Sequence, residues 1–446
     1  MANPYLPNWE YIPDGEPRVF GDRVYIYGSH DKPDSETYCD HKLKVWSASV
    51  DDLENWVCHG VSFQTIDSEG RKSDVDWTDN LLFAPDVVEK DGKYYLYAYI
   101  VDDKGCVAVS DNPEGPFTLV SQYKFNVDNS EGQYDNPCDG GTFIDPGVIV
   151  DDDGRVFIYC GFTRSYLCEL NPDNMYEVID GSYQENFLPS TGDEGFYEAA
   201  SMRKIGDTYY MIYSPNIGSR LAYATAPSPT GPFTYRGYIV DNGVDFPGGN
   251  DHGSIACIKG QWYIFYHRMT NGTDMSRRGF VERIEILPDG TIPPVEMTSL
   301  GFSEGLNPYE ITPADTACVL RNGGMITELD TFTRLITDIR GGTVMGWKYF
   351  EFGEDFTSDE YMKMELKLRP MGCSGKLNVY ADEVKEDNKI GEVSFDRESS
   401  VVCGKVKKLT GRHGIFIEAC GAYTTWAKYK FENRNLIELI AFVFKK

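Results

Sequence analysis

Apolar and aromatic residues alternate with polar ones at period two along most of this chain, and no apolar stripe of helical period runs for a useful length. The pattern predicts an all-β protein. Within it one unit recurs, a Gly turn followed by an aromatic strand. The first three read Gly21-Asp22-Arg23-Val24-Tyr25-Ile26-Tyr27, Asp91-Gly92-Lys93-Tyr94-Tyr95-Leu96-Tyr97 and Asp153-Gly154-Arg155-Val156-Phe157-Ile158-Tyr159. Gly206-Asp207-Thr208-Tyr209-Tyr210-Met211-Ile212-Tyr213 and Gly260-Gln261-Trp262-Tyr263-Ile264-Phe265-Tyr266 complete the series. In each, a polar residue stands six to nine positions before the Gly: Asp14, Asp86, Asp145, Glu198 and His252. A recurrence of roughly 50 to 70 residues suits the blades of a propeller.

The innermost strand of a blade lines the central channel, so equivalent positions of successive blades converge on one axis. Four carboxylates and a histidine at one mouth cost repulsion and desolvation; a stable fold has no structural reason to gather them, which points to chemistry. A second repeat supports the blades: Val109-Ser110-Asp111-Asn112-Pro113-Glu114-Gly115-Pro116-Phe117-Thr118 nearly copies Ala224-Thr225-Ala226-Pro227-Ser228-Pro229-Thr230-Gly231-Pro232-Phe233-Thr234. Pro and Gly cannot continue a ladder, so these are matched turns. The repeat fades near Pro288-Asp289-Gly290. Beyond Thr312 the strands alternate without the blade signature, as in Tyr361-Met362-Lys363-Met364-Glu365-Leu366-Lys367-Leu368. The expected division is a five-bladed β-propeller over 1–311 and a β-sandwich over 312–446. Tyr423 and Trp426 of the latter read equally as core residues or as sugar-binding faces.

Composition narrows the partners. The 446 residues carry a formal net charge of −28 without a basic stripe, which disfavours nucleic acid and anionic membrane surfaces and favours neutral ligands. Aromatics make up 14% of the chain; most are expected between blades, yet a sugar ring also stacks on such faces. The eleven cysteines include no CxxC pair and fit reduced core thiols. No stretch approaches the ~20 apolar residues of a membrane span, and the start of the chain lacks the pattern of a signal peptide, so a cytoplasmic location is expected. Asp151-Asp152-Asp153-Gly154 lacks the spaced ligands of a calcium loop and reads as a turn; Asp51-Asp52 and Asp102-Asp103 read as solvated turns.

Asp14 lies in Ile12-Pro13-Asp14-Gly15-Glu16-Pro17-Arg18, Asp145 in Phe143-Ile144-Asp145-Pro146-Gly147-Val148, Glu198 in Phe196-Tyr197-Glu198-Ala199-Ala200-Ser201, and His252 in Asn250-Asp251-His252-Gly253-Ser254-Ile255. In this order, over about residues 3 to 300, the series resembles glycoside hydrolase family 43. The resemblance implies a five-bladed propeller that cleaves β-xylosides, α-L-arabinofuranosides, arabinan or galactan with inversion, without a nucleotide or redox cofactor. By position it makes Asp14 the general base, Glu198 the general acid and Asp145 the residue that orients and tunes the acid. An inverting glycosidase needs a carboxylate to activate water and a protonated carboxyl on the opposite face of the sugar, roughly 6.5 to 9.5 Å apart.

Some positions stay open. Glu16 shares the strand parity of Asp14, but Asp14 keeps the family's distance to its Gly turn and is preferred. Phe83, in Phe83-Ala84-Pro85-Asp86, is expected to line a sugar pocket; Asp86 either supports structure or binds a sugar hydroxyl. The resemblance makes His252 a holder of a channel calcium ion, a hydrogen-bond partner of the catalytic carboxylates, or a structural residue. Of Arg277 and Arg278, Arg278 is favoured as the arginine at the substrate. The segment from Ser62 to Leu82 is long enough to wall off one end, which favours a pocket and release of single pentose units from oligosaccharides. An endo-acting arabinanase or galactan hydrolase on the same carboxylates, and a carbohydrate-binding propeller without catalysis, are the alternatives.

Overall fold

A computed structural model describes residues 2–101, 105–123, 144–354 and 359–446. The first blade consists of β1 (Glu16–Phe20), β2 (Arg23–Tyr27), β3 (Lys42–Ser49) and β4 (Asp52–Gln64). The second consists of β5 (Leu82–Lys90), β6 (Lys93–Ile100), β7 (Gly105–Ser110) and β8 (Thr118–Tyr123). The third holds β9 (Gly147–Val150), β10 (Val156–Cys160), β11 (Tyr166–Leu170) and β12 (Gln184–Glu185), and the fourth β13 (Phe196–Ile205), β14 (Thr208–Pro215), β15 (Arg220–Ala226) and β16 (Thr234–Asp241). The fifth has three strands, β17 (Ser254–Ile258), β18 (Gln261–Thr270) and β19 (Thr273–Ile284). Every blade is an antiparallel meander in chain order, and each aromatic strand foreseen from a Gly turn is the second strand of its blade.

Core aromatics fill the seams between blades. Tyr97 and Tyr166 pack with Val148 between the second and third, and Tyr159 and Phe196 with Met211 between the third and fourth. The two Pro-Gly turns are matched as expected, each accepting a tyrosine hydroxyl from the preceding blade: Tyr27 Oη to the Pro113 carbonyl (2.6 Å) and Tyr159 Oη to the Pro229 carbonyl (2.7 Å). The chain start closes the ring. The Asn3 side chain donates to the Val281 carbonyl (2.9 Å) and accepts from its N–H (3.0 Å), filling the β19 edge that a fourth strand would occupy. Gly15 forms a parallel bridge with Gly253, joining the first blade to the fifth.

The second sheet is made of β20 (Thr312–Pro313), β21 (Val319–Arg321), β22 (Met325–Asp330), β23 (Thr333–Ile339), β24 (Val344–Glu351), β25 (Tyr361–Pro370), β26 (Gly375–Ala381), β27 (Lys389–Phe395), β28 (Val401–Lys407), β29 (Arg412–Gly421) and β30 (Ile437–Lys445). Its strands run in the order β21-β24-β29-β26-β27-β28-β25-β30-β23-β22, with β20 on β30. The sheet folds over itself as a sandwich: Trp347 of β24 meets Phe442 of β30 with ring centroids 4.7 Å apart in one buried core. Tyr423 packs against that core, whereas Trp426, on the short helix α1 (Thr425–Phe431), is 70% exposed. Asp151-Gly154 forms the expected turn, with Gly154 N–H donating to the Asp151 carbonyl (2.9 Å). Asp102-Asp103 lies outside the described residues.

Candidate active site

Asp14, Asp145, Glu198 and His252 stand at the mouth ends of four innermost strands, and the structure brings them together in one cavity of about 910 Å³. Asp14 and Asp145 both take left-handed backbone conformations, at φ +57° and +52°, which Asp tolerates better than bulkier residues. Close backbone approach supports this convergence. A Cβ at Gly147 would lie 2.2 Å from the Ala200 carbonyl oxygen, and one at Gly253 would lie 1.9 Å from that of Phe265, so neither position admits a side chain.

Asp14 is held from several sides. Ser29 Oγ donates to Oδ2 (2.5 Å) and Arg277 Nη1 to Oδ1 (3.0 Å), while its N–H donates to His267 Nδ1 (3.3 Å). That bond places the His267 proton on Nε2, facing the Asn250 carbonyl (3.1 Å). His252 Nδ1 lies 3.8 Å from Asp14 Oδ1 and 3.7 Å from Asp145 Oδ2, between the two carboxyls. Arg277 also makes a bidentate pair with Asp31, Nε to Oδ2 and Nη2 to Oδ1 both at 2.9 Å, so its position is fixed independently of Asp14.

These contacts drive the carboxyls apart in acidity. Burial disfavours the Asp14 anion, but the Arg277 guanidinium foremost, with the Ser29 hydroxyl, outweighs it and holds its pKa below the ordinary value. Glu198 goes the other way. Burial, then the Asp14 charge, push it up to about 7, partly relieved by Arg277. Asp145 is also raised well above the usual range, by burial first and then by the charges of Glu198 and Asp14. Burial, followed by Arg277, lowers His267 to about 3 and keeps it neutral. The site therefore sets one carboxyl held toward its ionised form, Asp14, against two pushed toward the protonated form, Glu198 and Asp145.

Aromatic side chains ring these groups: Tyr38 from the first blade, Phe83 from the second, Phe162 from the third and Tyr197 from the fourth, with Asp274 of the fifth beside Arg277. The sequence pointed to Phe83 but not to the others. No residue of the Ser62–Leu82 segment lines the cavity; Trp77 packs into the seam between the first two blades, and the wall expected there is built by the loop carrying Tyr38 and Cys39.

Two expected substrate contacts are corrected. Asp86 lies below the cavity, fully buried, accepting from Arg18 Nε (2.9 Å) and from the Val148 N–H (2.8 Å). It is thus level with a residue three positions past Asp145, because a bulge at Ala84 (φ +34°) and an early start of β5 shift the second blade's register. Arg278 also points elsewhere: its Nη2 donates to Asp315 Oδ2 of the second domain (3.0 Å). Neighbours on a strand face opposite sides, and Arg277 is the one that reaches the cavity. Glu16 likewise sits deeper than Asp14, bonded to Arg203 Nη2 (2.7 Å).

Direct side-chain ligation of a channel cation at His252 does not fit this arrangement. Among the described residues no three His, Cys, Asp or Glu side chains converge as a ligand set. Arg203 Nε donates to the Ile255 carbonyl (3.0 Å), three residues below His252, and Arg18 pairs with Asp86. Below His252, Arg18 and Arg203 already pair with Asp86 and Glu16, a poor setting for an ion that wants six or more oxygens.

The sequence matches the family described as glycosyl hydrolases family 43 over residues 10–292. It is 41% identical over 355 residues to a xylosidase/arabinosidase of Thermoclostridium stercorarium, spanning 71% of this chain and 72% of that one. A beta-xylosidase of Xylanibacter ruminicola is 30% identical over 347 residues, spanning 66% of this chain and all of the other. Among solved structures, a GH43_1 enzyme from Xanthomonas citri superposes with a TM-score of 0.55 at 25% identity, over 66% of this chain and 93% of that one. A Bacillus subtilis arabinoxylan arabinofuranohydrolase covers 100% of this chain and 97% of its own at a TM-score of 0.54 and 22% identity, a likeness of fold. With the propeller, the carboxyls of opposed acidity and these relatives in agreement, the chain belongs to glycosyl hydrolases family 43, enzymes that hydrolyse O-glycosyl bonds.

Proposed function

We propose that this enzyme removes single β-xylosyl or α-L-arabinofuranosyl units from oligosaccharides with inversion, Asp14 acting as general base and Glu198 as general acid. The observation that carries this reading is the opposed acidity of two carboxyls in one cavity, Asp14 below its ordinary pKa and Glu198 up at about 7. In the reaction, water forms the new bond to the anomeric carbon as its proton passes to Asp14. The bond to the leaving oxygen breaks as that oxygen takes the proton of Glu198. Asp145, whose Oδ2 accepts the Ala199 N–H (3.2 Å) next to Glu198, keeps the acid in place. His252 bridges toward Asp14 and Asp145, and Arg277 and Asp274 are the polar groups for sugar hydroxyls, with Phe83 and Tyr197 among the apolar faces. The names of the relatives, xylosidase/arabinosidase and beta-xylosidase, support the pentose.

The test is Glu198→Gln on two leaving groups. A natural xylo- or arabino-oligosaccharide should lose turnover by roughly 10²–10⁴-fold, while a dinitrophenyl pentoside, whose oxygen departs without a proton, should be largely spared. Equal loss on both would give Glu198 another role.

A further inference from the structure

The second domain touches the propeller at points that lead directly to the cavity. The β18–β19 hairpin turns at Asn271-Gly272, both with positive φ, three residues before Asp274 and six before Arg277. Its tip is seated on β22: Asn271 N–H donates to the Ile326 carbonyl (2.8 Å), and a Cβ at Gly272 would lie 2.9 Å from Met325 Sδ. The Asn271 side-chain amide donates both to Glu328 Oε2 and to Asp34 Oδ1, each at 2.9 Å. Asp34 belongs to the loop that carries Tyr38 and Cys39 into the cavity, and its N–H donates to Ser276 Oγ (3.1 Å). The other Glu328 oxygen accepts from the Tyr11 hydroxyl, and Arg334 Nε of β23 donates to that same hydroxyl (3.0 Å). Tyr11 in turn accepts, through its carbonyl, the N–H of Asp31 (3.0 Å), the residue that fixes Arg277.

One carboxylate of the sandwich thus gathers three propeller segments, and each bears or anchors part of the cavity wall. We propose that Glu328 is a positioning residue for substrate binding, and that the second domain serves the active site by holding the 31–39 loop and the 270–274 hairpin against each other. This rests on the proposed site. Asp14 does not depend on the brace to the same degree, being fixed separately by Ser29 and His267. The two segments released by its loss carry Tyr38 and Asp274, groups that meet the sugar, whereas Arg277 lies beyond the hairpin in the β18–β19 ladder and keeps its bond to Asp14, so the effect belongs in KM.

The experiment compares Glu328→Ala and Asn271→Gly with the unaltered full-length enzyme on p-nitrophenyl β-xyloside and α-L-arabinofuranoside. Gly adopts the φ +57° of Asn271 without strain, so the second variant keeps the turn and removes the side-chain bonds to Glu328 and Asp34. Each variant should raise KM by roughly 3- to 30-fold, the span of a coupling carried through packed and hydrogen-bonded neighbours, with kcat within about twofold and both limbs of the pH profile unmoved. The double variant should fall short of the product of the single effects, since both cut the shared Asn271–Glu328 bond. An unchanged KM in Asn271→Gly, or multiplicative effects, would overturn the proposal, even with a lowered Tm. Glu198→Gln measured alongside on a natural xylo- or arabino-oligosaccharide separates the two readings: if it stays fully active there the site itself is misplaced, and if it is inactive while KM holds in Asn271→Gly only the brace fails.

Discussion

Ser29→Ala tests the proposed base without touching the sugar, because Ser29 lies behind Asp14 and does not line the cavity. Its hydroxyl donates to Asp14 Oδ2 at 2.5 Å and accepts the Ala84 N–H at 2.8 Å. A hydrogen bond to a charged group contributes ~1.5–3 kcal/mol, and a neutral carboxyl would keep part of it. The part lost by the ionised form alone is therefore about 1.4 kcal/mol, a factor of about ten in the ionisation of Asp14. The sign follows from the chemistry: the base works ionised, Ser29 favours the ionised form, and its removal moves the acid limb of kcat/KM to higher pH. At a pH on that limb the variant should be about tenfold slower than the parent, while near pH 6 the two should agree within about twofold. The basic limb, set by Glu198 at about 7, should stay where it is. Thermal unfolding should report a separate loss of ~1–3 kcal/mol from the orphaned Ala84 N–H. The assay is kcat/KM against pH on an aryl pentoside, over the range in which both proteins remain folded. A loss uniform at every pH, or an acid limb that does not move, would refute the assignment of that limb to Asp14.

Two pairs of variants have outcomes that follow from the geometry. Asp14→Ala should lose roughly 10²–10⁴-fold on natural and dinitrophenyl substrates alike, since water must be activated for both; Glu16→Gln, which alters a residue bonded to Arg203 below the cavity, should lower Tm and leave that leaving-group pattern unchanged. Arg277→Met should shift the acid limb upward and impair binding, because it strips Asp14 and Asp31 of their counter-charge, whereas Arg278→Met should show mainly in Tm, losing ~3–5 kcal/mol by leaving Asp315 buried and unpaired.

The blades were legible because each second strand couples a turn that needs Gly to a run of alternating aromatics, a local signal. The polar residues at the channel mouth were legible for the same reason, lying a nearly constant distance before those turns. Asp86 shows the limit of that argument: the bulge at Ala84 moves it down the channel, and no count along the chain reveals a bulge. Arg277 and Arg278 show another limit. Both are buried and both are paired, and only the position of β19 between the cavity and the second domain decides which faces which. Ser29, Asp31 and His267 come just after the aromatic runs of the repeat, which marks their neighbourhood, but their role depends on side chains from 15 to more than 250 residues away. Asn3 closing the fifth blade and Glu328 joining two domains are non-local in the same way and leave no periodic trace.

The central claim is that Asp14 activates water while Glu198 protonates the leaving oxygen, a division of labour that inverts the anomeric centre. Proton NMR of the earliest product, recorded before mutarotation mixes the anomers, tests it most directly. A β-xyloside should first yield α-xylose. First appearance of β-xylose, or transfer of the sugar to added methanol with retained configuration, would contradict the account and make one of these carboxylates a nucleophile.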